Sequence, residues 1–215
     1  MERNLFAEGL GTLILVMCGI GTGIMGMGLA GGSLALTLFA VAFATGLILY
    51  LLITILGPIS GAHLNPAVTL YLLIQRRIGG AYAMCYIAAQ VIGALLAVLL
   101  THAMFGLPLI QTATTARTGA NLWLSEGVAT FGLMLTIAGA MRHAPAQLPA
   151  LVGAWIASAF WFTGSASFAN PALTLARSLT DTFTGIQFAH VPAYIAAQLI
   201  AAVLAAVTLP KLFSR

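Results

Sequence analysis

Two stretches decide the fold: Asn65-Pro66-Ala67-Val68-Thr69-Leu70 and, 105 residues later, Asn170-Pro171-Ala172-Leu173-Thr174-Leu175. Asn is a favoured N-cap, because its side-chain oxygen accepts an N–H that the first helical turn leaves unpaired. Pro fits the first helical position, where its missing N–H costs nothing. Each tripeptide therefore reads as a helix start. The apolar runs they head, residues 65–74 and 170–179, have about half the ~20 residues that cross a bilayer core. Runs of that length suit segments that enter a membrane and turn back, which is tolerated only where protein or a water-filled cavity covers the irregular backbone.

Working outward, two more segments recur in the same order. Ala7-Glu8-Gly9-Leu10-Gly11-Thr12 returns as Ser125-Glu126-Gly127-Val128-Ala129-Thr130, offset by 118 residues. Tyr86-Ile87-Ala88-Ala89-Gln90 returns as Tyr194-Ile195-Ala196-Ala197-Gln198, offset by 108. Three ordered matches mark a duplicated unit, about residues 1–110 and 111–215, within a single domain. Six longer apolar runs surround the motifs, at residues 5–27, 33–56, 81–101, 122–141, 148–163 and 192–209. Each unit thus holds three spanning helices and one half-helix. An odd number of crossings turns the second copy upside down relative to the first. Inverted repeats that meet near the membrane midplane are a recurrent design for solute pathways.

Composition agrees with a lipid environment. Hydrophobic residues make up 61% of the 215 and charged residues 6%, with a mean hydropathy of +1.06. A soluble surface needs about 25% charge. The net charge of +4 does not point to nucleic acid, because the basic residues never form a patch. They lie between apolar runs. With the N-terminus inside, Arg3, Arg76, Arg77, Arg142, Lys211 and Arg215 are cytoplasmic and only Arg117 and Arg177 are outside, so both termini are expected in the cytoplasm. The first run is longer than a signal-peptide core and is expected to remain as a spanning helix. Cys18 and Cys85 read as small interior residues, and neither they nor the four histidines have metal-ligand spacing.

The inverted repeat brings both helix starts to the membrane centre from opposite sides. Each carries about half an elementary positive charge and several unpaired N–H groups. Two such ends on one passage repel cations and hydrated protons, while Asn65 and Asn170 offer amide donors to a neutral solute. Gly61 and Gly164 are expected to turn the chain that precedes each motif.

The stretch Ser60-Gly61-Ala62-His63-Leu64-Asn65-Pro66-Ala67-Val68-Thr69, together with the second motif and both Glu-bearing helices, resembles the major intrinsic proteins, the aquaporins and glycerol facilitators. The resemblance covers almost the whole chain. It implies an all-α membrane protein with six transmembrane helices, two re-entrant half-helices and an inverted 3+3 repeat. It further implies one pore per protomer, a homotetramer in the cell membrane, and neither cofactor nor enzymatic activity. Carboxylates inside spanning helices are costly and usually functional. Glu8 and Glu126 are either proton-coupling acids of a transporter or acceptors for the N–H groups of the loops before the half-helices. Their symmetric placement favours the second role. Gln90, Gln198 and His63 are expected to support the same loops.

The filter departs from the family pattern. Most members carry Arg directly after the second Asn-Pro-Ala, and here that position is Leu173. Family spacing from the Asn residues places the other three filter positions at Thr45, Ser158 and Ser167, where water-selective members carry Phe, His and a small residue. Short hydroxyl side chains and an aliphatic one imply a wider opening than water selectivity needs. Arg177 lies one helical turn beyond Leu173, and two readings stand. It either leans back to the filter or is an outer-surface cation near headgroups or Asp181; the second is preferred. Residues 170–186 also resemble the second motif of a bacterial branch associated with arsenic resistance, which implies passage of trivalent arsenic species, methylated forms included, beside water and glycerol-like polyols. A water-selective channel and a proton-coupled transporter are the alternatives.

Overall fold

The protein is described by a computed structural model covering residues 1–213; Arg215, one of the topology charges, lies outside the described residues. Long, predominantly apolar runs give α1 (Glu2–Leu29), α2 (Leu34–Ser60), α4 (Gly80–Met104), α5 (Ala120–His143) and α8 (Val191–Phe213), with Glu8 inside α1 and Glu126 inside α5. The two Asn-Pro-Ala motifs start the half-helices α3 (Pro66–Ile74) and α7 (Pro171–Ala176). α7 runs on as a 3₁₀ turn, Arg177–Leu179, so six and three residues match the nine of α3. No strand occurs among the described residues.

Five helices are long and apolar enough to cross a membrane unaided. The sixth crossing, α6 (Leu148–Phe162), has 15 α-helical residues preceded by the 3₁₀ turn Pro145–Gln147. At ~1.5 and ~2.0 Å of rise per residue the two together span about 28 Å, close to the ~30 Å hydrocarbon core. Six crossings put both chain ends on one side of the bundle.

Large apolar side chains, among them Phe39, Phe43, Leu47, Leu124 and Ile200, cover the outer face, while Glu8, Glu126, Gln90 and Gln198 are fully buried. That is the reverse of a soluble domain and suits lipid. Helices unable to gain from hydrophobic burial against lipid associate through close backbone approach at small residues. Two glycine pairs do this here. A Cβ on Gly93 of α4 would collide with the Gly9 carbonyl oxygen of α1, and one on Gly153 of α6 would stand 2.5 Å from the Gly46 carbonyl oxygen of α2. The repeats interlock through contacts of α2 with α6, α3 with α8 and α4 with α7.

The chain enters each half-helix through left-handed backbone. In the first loop Gly61 caps α2 at φ 87°, followed by Ala62 at 46° and Leu64 at 51°. In the second loop Gly164 and Ser165 form the turn that the Ala166 N–H closes on the Thr163 carbonyl at 3.2 Å, and the Gly164 N–H donates to Ser125 Oγ at 3.1 Å. The left-handed backbone that follows is carried by Ala166, Ser167 and Ala169 at φ 57°, 47° and 47°.

Candidate pore and selectivity filter

Asn65 and Asn170 meet at the centre of the bundle, and each does two jobs. Asn65 Oδ1 accepts from the Ala67 N–H at 2.8 Å, and Asn170 Oδ1 accepts from Ala172 N–H at 3.0 Å and Leu173 N–H at 3.3 Å. These bonds cap α3 and α7. Asn65 Nδ2 donates across the repeat boundary to the Ala169 carbonyl at 2.7 Å, and Asn170 Nδ2 donates back to the Leu64 carbonyl at 2.9 Å. A primary amide has two N–H donors. The crossed bond uses one, and the second remains for a molecule in the passage.

Glu8 and Glu126 sit behind the loops. Glu8 accepts from Ser60 Oγ (2.6 Å), His63 N–H (2.9 Å), Leu64 N–H (2.7 Å) and Gln90 Nε2 (2.8 Å). Glu126 accepts from Phe168 N–H (2.9 Å), Ala169 N–H (2.8 Å) and Gln198 Nε2 (2.6 Å). Gln90 and Gln198 also donate to Thr69 Oγ1 (3.0 Å) and Thr174 Oγ1 (2.9 Å). His63 Nδ1 lies 3.1 Å from Thr69 Oγ1, and its ring packs edge-on against Tyr86. A buried carboxylate is costly unless its lone pairs are satisfied, and here charge-assisted bonds satisfy them. In a trans peptide the C=O points opposite the N–H of the same unit. With the N–H groups of His63, Leu64, Phe168 and Ala169 turned to the carboxylates, the carbonyls of Ala62, His63, Ser167 and Phe168 turn the other way.

They turn toward a cavity of about 660 Å³ that both Asn65 and Asn170 line. Its wall is largely aliphatic, built from side chains one turn apart such as Leu49 and Ile53 of α2, Leu133 and Ile137 of α5, and Val152 and Ile156 of α6. A polar spine faces an apolar wall. Such a lining offers hydrogen bonds on one side and apolar contact on the other. No group of three His, Cys, Asp or Glu side chains able to hold a metal occurs among the described residues.

Comparison with known proteins agrees with this geometry. Residues 1–166 match the family model for the major intrinsic protein. The chain is 47% identical over 205 residues to the aquaglyceroporin AqpS of Rhizobium meliloti, covering 95% of this chain and 88% of that protein. The chain belongs to the major intrinsic protein family. It is also 32% identical over 242 residues to the aquaporin AqpM of Methanothermobacter marburgensis, covering 100% of this chain and 98% of that one. Its fold matches the X-ray structure of the aquaglyceroporin from Plasmodium falciparum with a TM-score of 0.75 at 17% identity, covering 99% and 98% of the two chains. Members of this family are passive transmembrane channels and not enzymes.

Within the family frame, three expected filter residues of this major intrinsic protein line the cavity and one does not. Thr45, Ser167 and Leu173 line it. Ser158 is exposed on the outer face of α6 and lines nothing in the cavity. The inward face of α6 carries Val152, Ile156 and Phe160, four residues apart and all buried. Ser158 lies two residues, about 200° of rotation, from Ile156. The wall on this side is therefore aliphatic and aromatic, and narrower than a serine would leave it.

The preferred reading of Arg177 is also corrected. Arg177 is buried, only 3% exposed, and lines the same cavity as Leu173. Its guanidinium carbon stands 4.3 Å from the centroid of the Phe168 ring. Asp181 is engaged elsewhere: its carboxylate accepts from the Thr114 N–H and Oγ1, both at 2.9 Å, and the Thr114 N–H holds it below the usual carboxylate range. Arg117 comes to the other neighbourhood of Phe168, 5.3 Å from the ring centroid, donating through Nε to the Gly185 carbonyl (2.8 Å) and through Nη2 to the Phe183 carbonyl (3.2 Å). Sequence reasoning passed over Phe168 and Phe160 and read Arg117 only as a charge outside the membrane. A signal for Phe168 existed, because it precedes Asn170 by two residues as His63 precedes Asn65, and it packs on Tyr194 as His63 packs on Tyr86.

Proposed function

We propose that this channel conducts small uncharged solutes bearing several hydroxyls: water, glycerol-like polyols and trivalent arsenic hydroxide with its methylated forms. The observation that carries this reading is that Leu173 lines one cavity with Thr45 and Ser167, whose hydroxyls have no partner. Thr45 Oγ1 and Ser167 Oγ are buried and make no hydrogen bond to the protein. An unpaired buried hydroxyl is costly, and a polyol passing between them removes that cost while its carbon face slides along Leu173. Arsenite at neutral pH is an uncharged trihydroxide of similar shape and presents the same donors and acceptors. The similarity to the Rhizobium aquaglyceroporin supports the polyol part of the reading.

The working form is proposed to be a homotetramer in the cell membrane, with one pore per protomer and both termini in the cytoplasm. The excess of Lys and Arg at the loops on that side supports the orientation. Stopped-flow swelling of proteoliposomes tests the solute range. Water, glycerol and arsenite gradients should each give rates well above protein-free vesicles. Water passage with neither solute would leave a water-selective pore and overturn the proposal.

A further inference from the structure

We propose that Arg177 is the filter's cation and principal hydrogen-bond donor, supplied from one turn beyond the position the family normally uses; this deepens the reading just given and rests on it. Four observations place it there. Leu173 and Arg177 are four residues apart on one face, and their counterparts 105 residues earlier, Val68 and Leu72, line the same cavity, as do both members of the second pair. The geometry of the repeat thus directs position 177 into the passage.

The head of the side chain is located by Phe168, whose ring centroid is 4.3 Å from the guanidinium carbon. Phe168 follows the filter residue Ser167 directly, so the guanidinium has leaned back along the half-helix to filter level, as helical side chains do. Space for it is made by Gly19 of α1, where a Cβ would stand 3.3 Å from Nη2. The guanidinium forms no hydrogen bond to the protein among the described residues, and Nε is buried without a partner. A buried guanidinium held by stacking alone keeps its N–H donors for whatever occupies the passage.

Arg117 completes the arrangement from behind. Its side chain is committed to the Gly185 and Phe183 carbonyls, so it adds positive potential and closes off that side of the ring without competing for solute. The lost arginine at position 173 is thereby replaced by one that lies against an aromatic ring. Leu173 widens the passage, and the charge that turns back protons and cations is retained.

The test compares wild type with Arg177→Leu and Arg177→Gln in proteoliposomes, reading glycerol swelling, the ratio of glycerol to a larger polyol, and proton and sodium leak. Both variants should raise the ion leak by about tenfold, the order expected for loss of one charged donor, and should lower the size discrimination, while Arg177→Lys restores the ion barrier. Ion leak and solute ratio within about twofold of wild type in a folded Leu or Gln variant would overturn the inference, as would failure of both to assemble, which would make Arg177 a packing residue. Wild-type vesicles that pass no glycerol would instead sink the polyol reading, and the ion-leak comparison would still decide the role of Arg177.

Discussion

Leu173 lines the central cavity with Thr45, Ser167 and Arg177, and its aliphatic side chain offers no donor. On the proposed reading, the two hydroxyls and the head of Arg177 meet the solute in its place. Leu173→Arg should place a second guanidinium beside the first, narrowing the passage and crowding like charges. Glycerol swelling should fall by about tenfold or more while water permeation persists; unchanged glycerol flux would show that the side chain does not face the pore. Asn170 predicts differently. Its side chain makes two capping bonds and one crossed bond, so Asn170→Ala leaves buried N–H and C=O groups unpaired, each costing about 1–3 kcal/mol. A lower thermal unfolding temperature in detergent together with lost flux is the expected outcome.

The elements were legible in the sequence where apolar length or a cap set them. Asn-Pro-Ala fixed both half-helix starts to the residue, because a side-chain cap and a proline at N1 are local chemistry. The six long runs were set by apolar length instead. What escaped was orientation about the helix axis. Ser158 was located by counting back from Asn170 across residues 163–169, a left-handed loop in which helical spacing has no meaning. Nor does hydrophobic periodicity mark the inward face, because α6 is apolar all round: Val152, Ile156 and Phe160 face inward while Leu151, Trp161 and Phe162 face outward. Gly164 turns the chain as its type suggests, but the left-handed backbone falls on Ala166, Ser167 and Ala169, which no glycine marks. Such backbone costs of order 1–3 kcal/mol per residue and persists only where surroundings fix it, and the Glu126 carboxylate is that fixing group. Glu126→Ala should therefore collapse the second loop while sparing the first. Loss of flux with the six helices retained by circular dichroism is the expected signature. The glycine crossings give a prediction at this scale as well: Gly153→Val would drive a side chain into the α2 backbone at Gly46, and overpacking of that kind costs about 1–3 kcal/mol, visible as a lower unfolding temperature.

For the whole molecule, the question is whether the inverted repeats move against each other. Transporters with related architecture work by rocking one repeat on the other around a central site. Here the centre is bolted across the repeat boundary by two reciprocal bonds, Asn65 to the Ala169 carbonyl and Asn170 to the Leu64 carbonyl. The half-helices are exchanged as well: α3 packs on α8 and α7 on α4. Rocking would break both crossed bonds and slide helices past the glycine contacts, with no new partners for the freed groups. Nor do the buried acids offer a proton relay, since Glu8 accepts four hydrogen bonds and Glu126 three, from loop N–H groups, a hydroxyl and the two glutamines. A rigid two-fold centre with one passage predicts a definite kinetic signature. Uptake of labelled glycerol should rise linearly with concentration, proceed equally in either direction, and be indifferent to an imposed pH gradient. Unlabelled glycerol preloaded inside the vesicles should not accelerate it, because no carrier has to return. Acceleration by the trans solute, or accumulation driven by protons, would mean that the crossed asparagine bonds open during each cycle.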